Sequence, residues 1–288
     1  MKKFLLCFFL TTISCVGLWG SENLDLLTKT QKENHKKLEE IRIILPDNVK
    51  LEMVKIPAGS FTMGSSTGDI LKIPQETPHR VTLTRDYWMG KYEVTQAQWK
   101  AVMGNNPSRF EGDNRPVTRI SWNDAKKFCN KLNKKYADKL PAGCKFDLPT
   151  EAQWEYACRA GTTTALNNGT NLTSMTGTCS NLNEVGWYGK NRKSMMHPVG
   201  QKRPNNWGLY DMHGNVWEWC RDWYADYPNY PNGRVTDPVG PSSGSSRVVR
   251  GGSCYDIAAI CRSSFRLYWE PEFRSYNIGF RLALVPVQ

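Results

Sequence analysis

Three segments of the chain place apolar residues at helical spacing, and each begins with the same polar pattern. A hydroxyl residue stands three positions before Gln or Asp at Thr95, Ser121 and Thr150. In such a capping box the hydroxyl accepts a hydrogen bond from the third residue's N–H, and that residue's side chain bonds back to the first. The pattern predicts three helices, the second over about 123–134 and the third ending near Gly161.

The second predicted helix has the clearest apolar face. Ala125, Phe128, Cys129 and Leu132 follow helical spacing, so this face is expected to pack on a core. Cys129, and Cys158 in the third helix, are therefore predicted to be buried free thiols.

Short apolar runs bounded by Gly, Pro or Ser predict strands of a few residues each. They occupy 61–63, 80–83, 248–251 and 279–285. Long stretches without either periodicity lie between them, at 161–210 and 222–247. The expected fold is therefore an α+β fold with little regular secondary structure.

Residues 1–20 have the layout of a secretory signal peptide, with two lysines, an apolar run and then small residues. The run is shorter than a stretch that spans a bilayer. Two processing outcomes stay open. Cleavage near the end of the segment gives a soluble exported protein, whereas removal of residues 1–14 leaves Cys15 as a lipid-modified N-terminus.

Residues 21–48 are predicted to form an exposed helix and linker. The part over 22–44 is charged, lacks Gly and Pro, and spaces Leu and Ile in a broadly helical way, with Pro46 ending the helix. One interpretation is a stalk between leader and domain, and the other is a short self-associating helix.

The composition fits an exported globular domain. The chain has 288 residues, 40% of them apolar, and eleven Trp, which is enough for a substantial core. Its 23 Gly and 16 Pro favour a loop-rich fold. The formal charge of +11 is compatible with an acidic partner. Lys and Arg form no dense run, so we do not expect the chain to bind nucleic acid.

Cysteine and histidine do not indicate a metal centre. Seven of the nine cysteines lie outside the leader, no C-x-x-C occurs, and the spacings do not match a zinc site. The four histidines are not grouped. One or two disulfides are compatible with export, and their pairing stays open.

The stretch SSFRLYWEPEFRSYN, 263–277, carries five aromatic residues in fifteen, against 11% in the whole chain. Charged residues and a proline interrupt both periodicities there, which predicts a surface loop. Tyr and Trp offer large contact areas with few rotatable bonds and are enriched in binding hot spots. The alternative is a small aromatic core that anchors the loop.

An ordered set of motifs resembles the formylglycine-generating enzyme (sulfatase-modifying factor) family. The most specific is GLYDMHGNVWEWCRDWY at 208–224. The others, in chain order, are IPAGSFTMGS, PHRVTL, KYEVTQAQW, RPVTRISWNDAKKFC, LPTEAQWEYACRAGT, RVVRGGS, CRS and IGFRLA. The resemblance makes 49–288 one domain, and it implies a C-type lectin-like fold of the formylglycine-generating-enzyme subclass.

The resemblance also implies one calcium ion, held through the central motif. The ligands that carry over are the carboxylates of Asp211 and Glu218 and the main-chain carbonyls of Gly214 and Val216. Such hard oxygen donors suit calcium, which takes six to eight of them. In the alternative interpretation the carboxylates only accept bonds from backbone N–H groups, and the neighbouring tryptophans belong to the core.

The chemistry of the family enzymes is not expected here. They use two thiolates, five positions apart, that bind copper(I), which favours soft ligands. Cys261 matches the later thiolate, but Asp256 stands at the earlier position and cannot form a disulfide. We therefore expect no copper. Cys254 keeps open the alternative of a periplasmic family oxidase with an altered active site.

The C-terminal segment keeps the family framework at Cys261, Arg262, Ser263, Arg266, Pro271, Arg274, Gly279, Phe280 and Arg281. The positions between them are unusual for the family. This layout resembles the variable proteins of diversity-generating retroelements, in particular the Treponema variable protein. The resemblance implies a variable ligand-binding face made of Tyr255, Asp256, Ile257, Ala259, Ile260, Phe265, Leu267, Tyr268, Trp269, Phe273, Ser275, Tyr276 and Asn277.

The resulting expectation is an exported, cell-surface protein that binds a protein or a glycan through this face. It would be a monomer, attached to the membrane by lipid at Cys15 or released, and without formylglycine-generating activity.

Overall fold

The computed structural model describes residues 38–65, 69–71, 73–193, 195–226 and 233–287. The predicted signal peptide, the predicted lipid attachment site Cys15 and most of the predicted N-terminal helix lie outside these residues. Within them, no helix is long and apolar enough to cross a membrane.

A five-stranded antiparallel sheet joins the start of the described chain to its end. Its strands, in spatial order, are β1 (Glu40–Ile44), β2 (Lys50–Ile56), β5 (Tyr87–Gly90), β14 (Ala283–Pro286) and β6 (Cys144–Asp147). Leu51 and Met53 of β2 pack in the main core, while Val54 and Ile56 pack in a second core. Because side chains alternate along a strand, β2 is buried on both faces.

The predicted N-terminal helix is wrong where the structure describes it. Glu40–Ile44 is a strand whose residues pair with β2, Glu40 opposite Val54 and Ile44 opposite Lys50. Its three isoleucines are β-branched and favour a strand once a partner strand is available. Of the segment predicted as an exposed helix and linker, Glu40–Ile44 is thus part of the sheet, and Pro46–Asn48 forms a 3₁₀ turn.

Three helices begin at the predicted capping boxes, with N-caps at Thr95, Ser121 and Thr150. They are α1 (Gln96–Met103), α2 (Trp122–Tyr136) and α3 (Glu151–Arg159), and all three boxes are formed. A shorter helix, α4 (Ser180–Val185), lies in a stretch predicted to be irregular. Cys129 and Cys158 are buried free thiols, as predicted.

The remaining strands are short. One sheet contains β10 (Val235–Thr236), β4 (His79–Leu83) and β3 (Gly59–Met63) in that order, and β7 (Gly186–Trp187) pairs with β8 (His213–Gly214). The sheet that carries the candidate site has the order β12 (Arg266–Trp269), β11 (Arg247–Arg250), β9 (Trp217–Trp223) and β13 (Ile278–Gly279).

Two predicted segments differ from the structure. The expected strand over 279–285 is divided between β13 and β14, because Arg281 turns inward between them to bond Glu218. The expected loop over 263–277 contains a strand, β12, which pairs with β11. The predicted strands near 61–63, 80–83 and 248–251 are confirmed as β3, β4 and β11.

Candidate functional site

The candidate site is built on β12, an outer strand of its sheet. In the ladder with β11, Tyr268 lies opposite Val248 and Trp269 lies opposite Arg247. Successive side chains of a strand point to opposite faces. Tyr268 and Trp269 are therefore presented on the two faces of this edge strand.

Each of these two side chains meets a second aromatic ring. On one face the ring centroids of Tyr224 and Tyr268 are 4.2 Å apart, and the Arg266 guanidinium lies 4.5 Å from the Tyr224 centroid. On the other face Trp269 stacks on Phe273 with 4.3 Å between centroids and 18° between planes. Aromatic pairs at such separations attract each other. The rings therefore hold one another in place while part of each stays in solvent.

A second aromatic pair lies elsewhere in the segment and is flanked by arginines. Tyr255 and Tyr276 meet edge to face at 5.0 Å. The Arg192 guanidinium lies 4.2 Å from the Tyr255 ring, and that of Arg109 lies 5.9 Å from the Tyr276 ring. This part of the surface thus combines exposed ring area with positive charge.

Exposed apolar side chains are concentrated in this segment. Among the described residues ten large apolar side chains are exposed, and five of them lie within 255–277, each with 37–44% of its surface in solvent. They are Ile257, Tyr268, Trp269, Phe273 and Tyr276. They lie on both sides of the β12 edge and in the loops around it, and we call the surface they form around this edge the apolar face. Such a concentration marks interaction sites more often than scattered exposed residues do.

Four of the predicted face residues belong instead to the supporting structure. Ala259 lies in the 3₁₀ turn Ala258–Cys261 and is only 2% exposed. Ile260, Phe265 and Leu267 are half-buried and pack against the main core.

The three predicted polar residues form a network around Ser253. Asp256 Oδ2 accepts hydrogen bonds from the Ser253 N–H at 2.9 Å and from its hydroxyl at 2.5 Å. Asn277 Nδ2 lies 3.3 Å from the Ser253 hydroxyl oxygen, and the Ser275 hydroxyl donates to Asn277 Oδ1 at 2.6 Å. The network ties the two ends of the segment together.

Tyr255 itself is half-buried. It contributes to the surface mainly through its contacts with Tyr276 and Arg192.

Buried arginines hold the frame beneath the apolar face. Three framework arginines form two-pronged ion pairs with N–O distances of 2.6–2.8 Å: Arg262 with Glu76, Arg266 with Glu151, and Arg281 with Glu218. Removing one partner of a buried pair typically costs roughly 3–5 kcal/mol. These framework positions therefore tolerate substitution much less well than the exposed rings do.

The two cysteines nearest the family's catalytic position are free and buried. Burial raises the pKa of Cys254 to about 12, and burial, with Asp256 and Cys254 adding to it, raises the pKa of Cys261 well above its ordinary value. The thiolate, not the thiol, is the nucleophile and the metal ligand. Burial therefore favours the protonated thiol over the thiolate at both positions.

Of the residues predicted to bind calcium, Asp211 fits a cation well. Its Oδ2 accepts from the Gly200 N–H at 2.7 Å, while its buried Oδ1 has no hydrogen-bond partner. Burial raises the pKa of Asp211 to about 6. Burial, with Asp211 and Glu218 nearby, also raises the pKa of Glu93. Asp211, Glu93 and Glu218 all lie near one guanidinium, that of Arg281. A bound cation would therefore stabilise the ionised forms of these carboxyl groups.

Glu218 fits less well, because both of its oxygens already accept from Arg281 and one also accepts from the Trp154 indole at 2.6 Å. No group of three or more His, Cys, Asp or Glu side chains in the described part of the chain is arranged to hold a metal. Calcium would therefore depend on the carbonyls of Gly214 and Val216. Gly214 is at φ +93°, and a Cβ there would lie 1.9 Å from the Trp187 carbonyl oxygen. The calcium site stays a prediction.

Sequence reasoning missed three residues that border the face. Tyr224 is the last residue of the central motif, and its position just after β9 could have suggested a place beside the next strands. Arg109 and Arg192 lie in irregular segments, and no local pattern connects them with Tyr276 or Tyr255.

Short strands and helices, long loops, and buried arginine–glutamate pairs agree with the C-type lectin-like fold of the formylglycine-generating-enzyme subclass that the sequence resemblance implies. The sulfatase-modifying factor enzyme 1-like domain model matches residues 45–285, and the chain belongs to this family.

Three relatives illustrate the range of this family. Treponema denticola variable protein 1 has 35% sequence identity and a TM-score of 0.73, covering 86% of this chain and 99% of that one. The mouse formylglycine-generating enzyme is 30% identical over 81% of this chain and 74% of its own. Chaperone protein LppX of Paenibacillus barcinonensis is 34% identical over 62% of this chain and 74% of its own. Both resemblances inferred from the sequence are confirmed.

Proposed function

We propose that this chain is an exported, cell-surface protein that binds a ligand through the apolar face and has no formylglycine-generating activity. The observation that carries the proposal is the concentration of five exposed apolar side chains on and around an edge strand. A soluble domain gains nothing for folding from exposing them, whereas a ligand can cover them.

The division between frame and face supports variation at the face. The buried ion pairs and the core lie at the family framework positions, whereas the exposed rings lie between them. Surface substitutions away from packed features usually change stability by less than about 0.5 kcal/mol, and the partly covered rings of the apolar face should cost more than that but less than core residues. The similarity to Treponema denticola variable protein 1 agrees with an apolar face whose residues can be replaced by others.

The absence of activity is supported by the residue at the position of the first thiolate. Asp256 occupies that position and is engaged by Ser253, so a hard oxygen donor stands in place of a soft thiolate. Copper(I) favours soft ligands, and a carboxylate cannot form a disulfide with a substrate cysteine.

The composition of the apolar face and its margin favours a protein as the ligand. Tyr and Trp anchors with arginines at the margin are the composition of protein-binding hot spots. One relative is named a chaperone. A glycan is the other outcome that a binding experiment would reveal.

The experiment immobilises the chain from Ser21 to Gln288 and offers it extracellular protein extracts and a glycan array. The test variant is Tyr268→Asn with Trp269→Ser, and the matched control is Ile44→Ser with Val287→Ser, which changes two exposed apolar side chains at the five-stranded sheet. We expect the wild type and the control to retain the same ligand and the test variant to lose it. Equal retention by all three would contradict the proposal.

A further inference from the structure

A row of lysines runs along the outward side of α2 and into the turn that follows it. The first four recur at i, i+4, i+7 and i+8, which places them on one side of the helix. The opposite side of α2 is buried in the main core. All five lysines of this row, which we call the lysine stripe, are exposed: Lys127, Lys131, Lys134, Lys135 and Lys139.

Little opposite charge lies beside the lysine stripe. Lys127 Nζ is 3.8 Å from Asp124, and Lys131 Nζ donates to the Val102 carbonyl at 3.4 Å. In the described part of the chain no ion pair shorter than 4.0 Å involves the last three lysines. Within 127–139, Asp138 is the one acidic residue.

This arrangement is unfavourable for the helix itself. Like charges four residues apart, such as Lys127 with Lys131 and Lys131 with Lys135, destabilise a helix. The helix macrodipole favours Lys134 and Lys135 in the last turn but not Lys127 and Lys131, whereas an external anionic partner would account for the whole stripe.

A shallow cavity of about 370 Å³ lies beside the stripe. Its apolar wall is formed by Pro46, Ala101, Val102 and Tyr136, and its rim by Lys131, Lys134 and Lys135. The ammonium groups of Lys135 and Lys139 lie 5.7 and 5.6 Å from the Tyr136 ring centroid, so the lysine stems cover part of this apolar surface.

We propose that the lysine stripe and this cavity form a contact site for the surface of an anionic lipid membrane. Lysines near such a surface are attracted by its negative potential. The apolar wall between them suits the boundary between head groups and acyl chains, where amphipathic elements bury an apolar side. An acidic polysaccharide would form ion pairs with the lysines but would not bury the apolar wall.

This contact would leave the apolar face free. The N-terminal end of α2 touches the segment of the apolar face, because the Trp122 N–H donates to the Pro271 carbonyl at 3.0 Å and Asp124 pairs with Arg274. The stripe extends toward the opposite end of this 15-residue helix. The first lysine, Lys127, also lies beside Asp124, but at 1.5 Å per residue Lys134 and Lys135 lie roughly 15 Å further along the axis, so the cavity and the lysines at its rim are separated from the apolar face.

The test measures co-sedimentation of the chain from Ser21 to Gln288 with vesicles, so that neither leader nor lipid contributes. One vesicle type is pure phosphatidylcholine, and the other is an equal mixture of phosphatidylcholine and phosphatidylglycerol. The test variant is Lys131→Glu/Lys134→Glu/Lys135→Glu. The control, Arg80→Glu/Arg85→Glu/Lys145→Glu, changes the net charge equally at exposed residues elsewhere.

We expect the wild type and the control to bind the anionic vesicles, and to bind less as salt is raised. Each lysine near such a surface contributes about a fivefold gain in affinity, so the test variant should lose affinity on the order of a hundredfold. Equal binding to both vesicle types, or equal losses in test and control variants, would overturn the proposal. So would binding to dextran sulfate without binding to vesicles.

Circular dichroism establishes that the variants are folded. If the glutamate variant unfolds, the corresponding glutamine variant replaces it and should still lose most of the binding. Neither set of substitutions touches the apolar face, so this proposal can fail while the proposed ligand-binding function stands.

Discussion

Substitution of Trp269 by serine distinguishes an exposed binding ring from a core residue. The side chain is 37% exposed, so nearly two-thirds of it is covered. Full burial of a large apolar side chain stabilises by roughly 1.5–3 kcal/mol, which scales to about 1–2 kcal/mol here. The stack on Phe273 adds on the order of 0.5 kcal/mol. We therefore expect Trp269→Ser to cost about 1.5–2.5 kcal/mol.

A buried tryptophan of the same sheet provides the comparison. Trp219 is fully buried and donates its indole N–H to the Ile120 carbonyl at 3.2 Å. Its replacement by alanine should cost roughly 3–5 kcal/mol. Urea titrations of both variants and the wild type, followed by circular dichroism, give the free energies of unfolding.

The stack itself can be isolated with Phe273→Ala. If Trp269 and Phe273 contact each other as described, Trp269→Ser should cost less in the Phe273→Ala background than in the wild type. A cost of Trp269→Ser equal to that of Trp219→Ala would refute the reasoning, because it would make the ring part of the core.

Three further predictions test the chemistry of the scaffold. The purified protein, supplied with copper and oxygen, should not convert the cysteine of a Cys-x-Pro-x-Arg peptide, and turnover that Cys261→Ser abolishes would contradict the assignment. If calcium binds at 211–218, a chelator should lower the melting temperature of the wild type, because it removes a ligand of the native state. In Asp211→Ala the melting temperature should be the same with and without chelator. Identical melting temperatures of the wild type with and without chelator would exclude the ion. Burial, with Glu151 adding to it, raises the pKa of Asp222 to about 7. Between about pH 4 and pH 7 the native state therefore holds a proton that the unfolded state has released. The contribution of Asp222 to the free energy of unfolding falls as pH rises through this range. Asp222→Asn should therefore gain stability relative to the wild type between pH 5 and pH 8 in urea titrations, and a constant difference would contradict the shift.

Local sequence signals predicted the helices well because their information is local. The hydroxyl and the amide or carboxyl of each capping box lie three residues apart, so Thr95, Ser121 and Thr150 mark helix starts without knowledge of the fold. The fold class followed from motifs distributed along the whole chain, and the family model confirms it.

Features that depend on distant partners could not be predicted in this way. Glu40–Ile44 became a strand because β2 lies beside it, and Arg266–Trp269 became one because β11 does. Ala259 is buried by contacts with the rest of the fold, which its neighbours in the sequence do not indicate. Tyr224 reaches Tyr268, and Arg192 reaches Tyr255, only through the tertiary fold.

The central claim is that a variable binding face is carried on a fixed frame, and sequencing of the coding region in many cells of one population tests it most directly. The account predicts that amino-acid differences concentrate within 255–277, at the exposed Ile257, Tyr268, Trp269, Phe273 and Tyr276, while the buried Arg262, Arg266 and Arg281 stay constant. Differences spread evenly over 49–288, or a segment 255–277 that is identical in every cell, would contradict it.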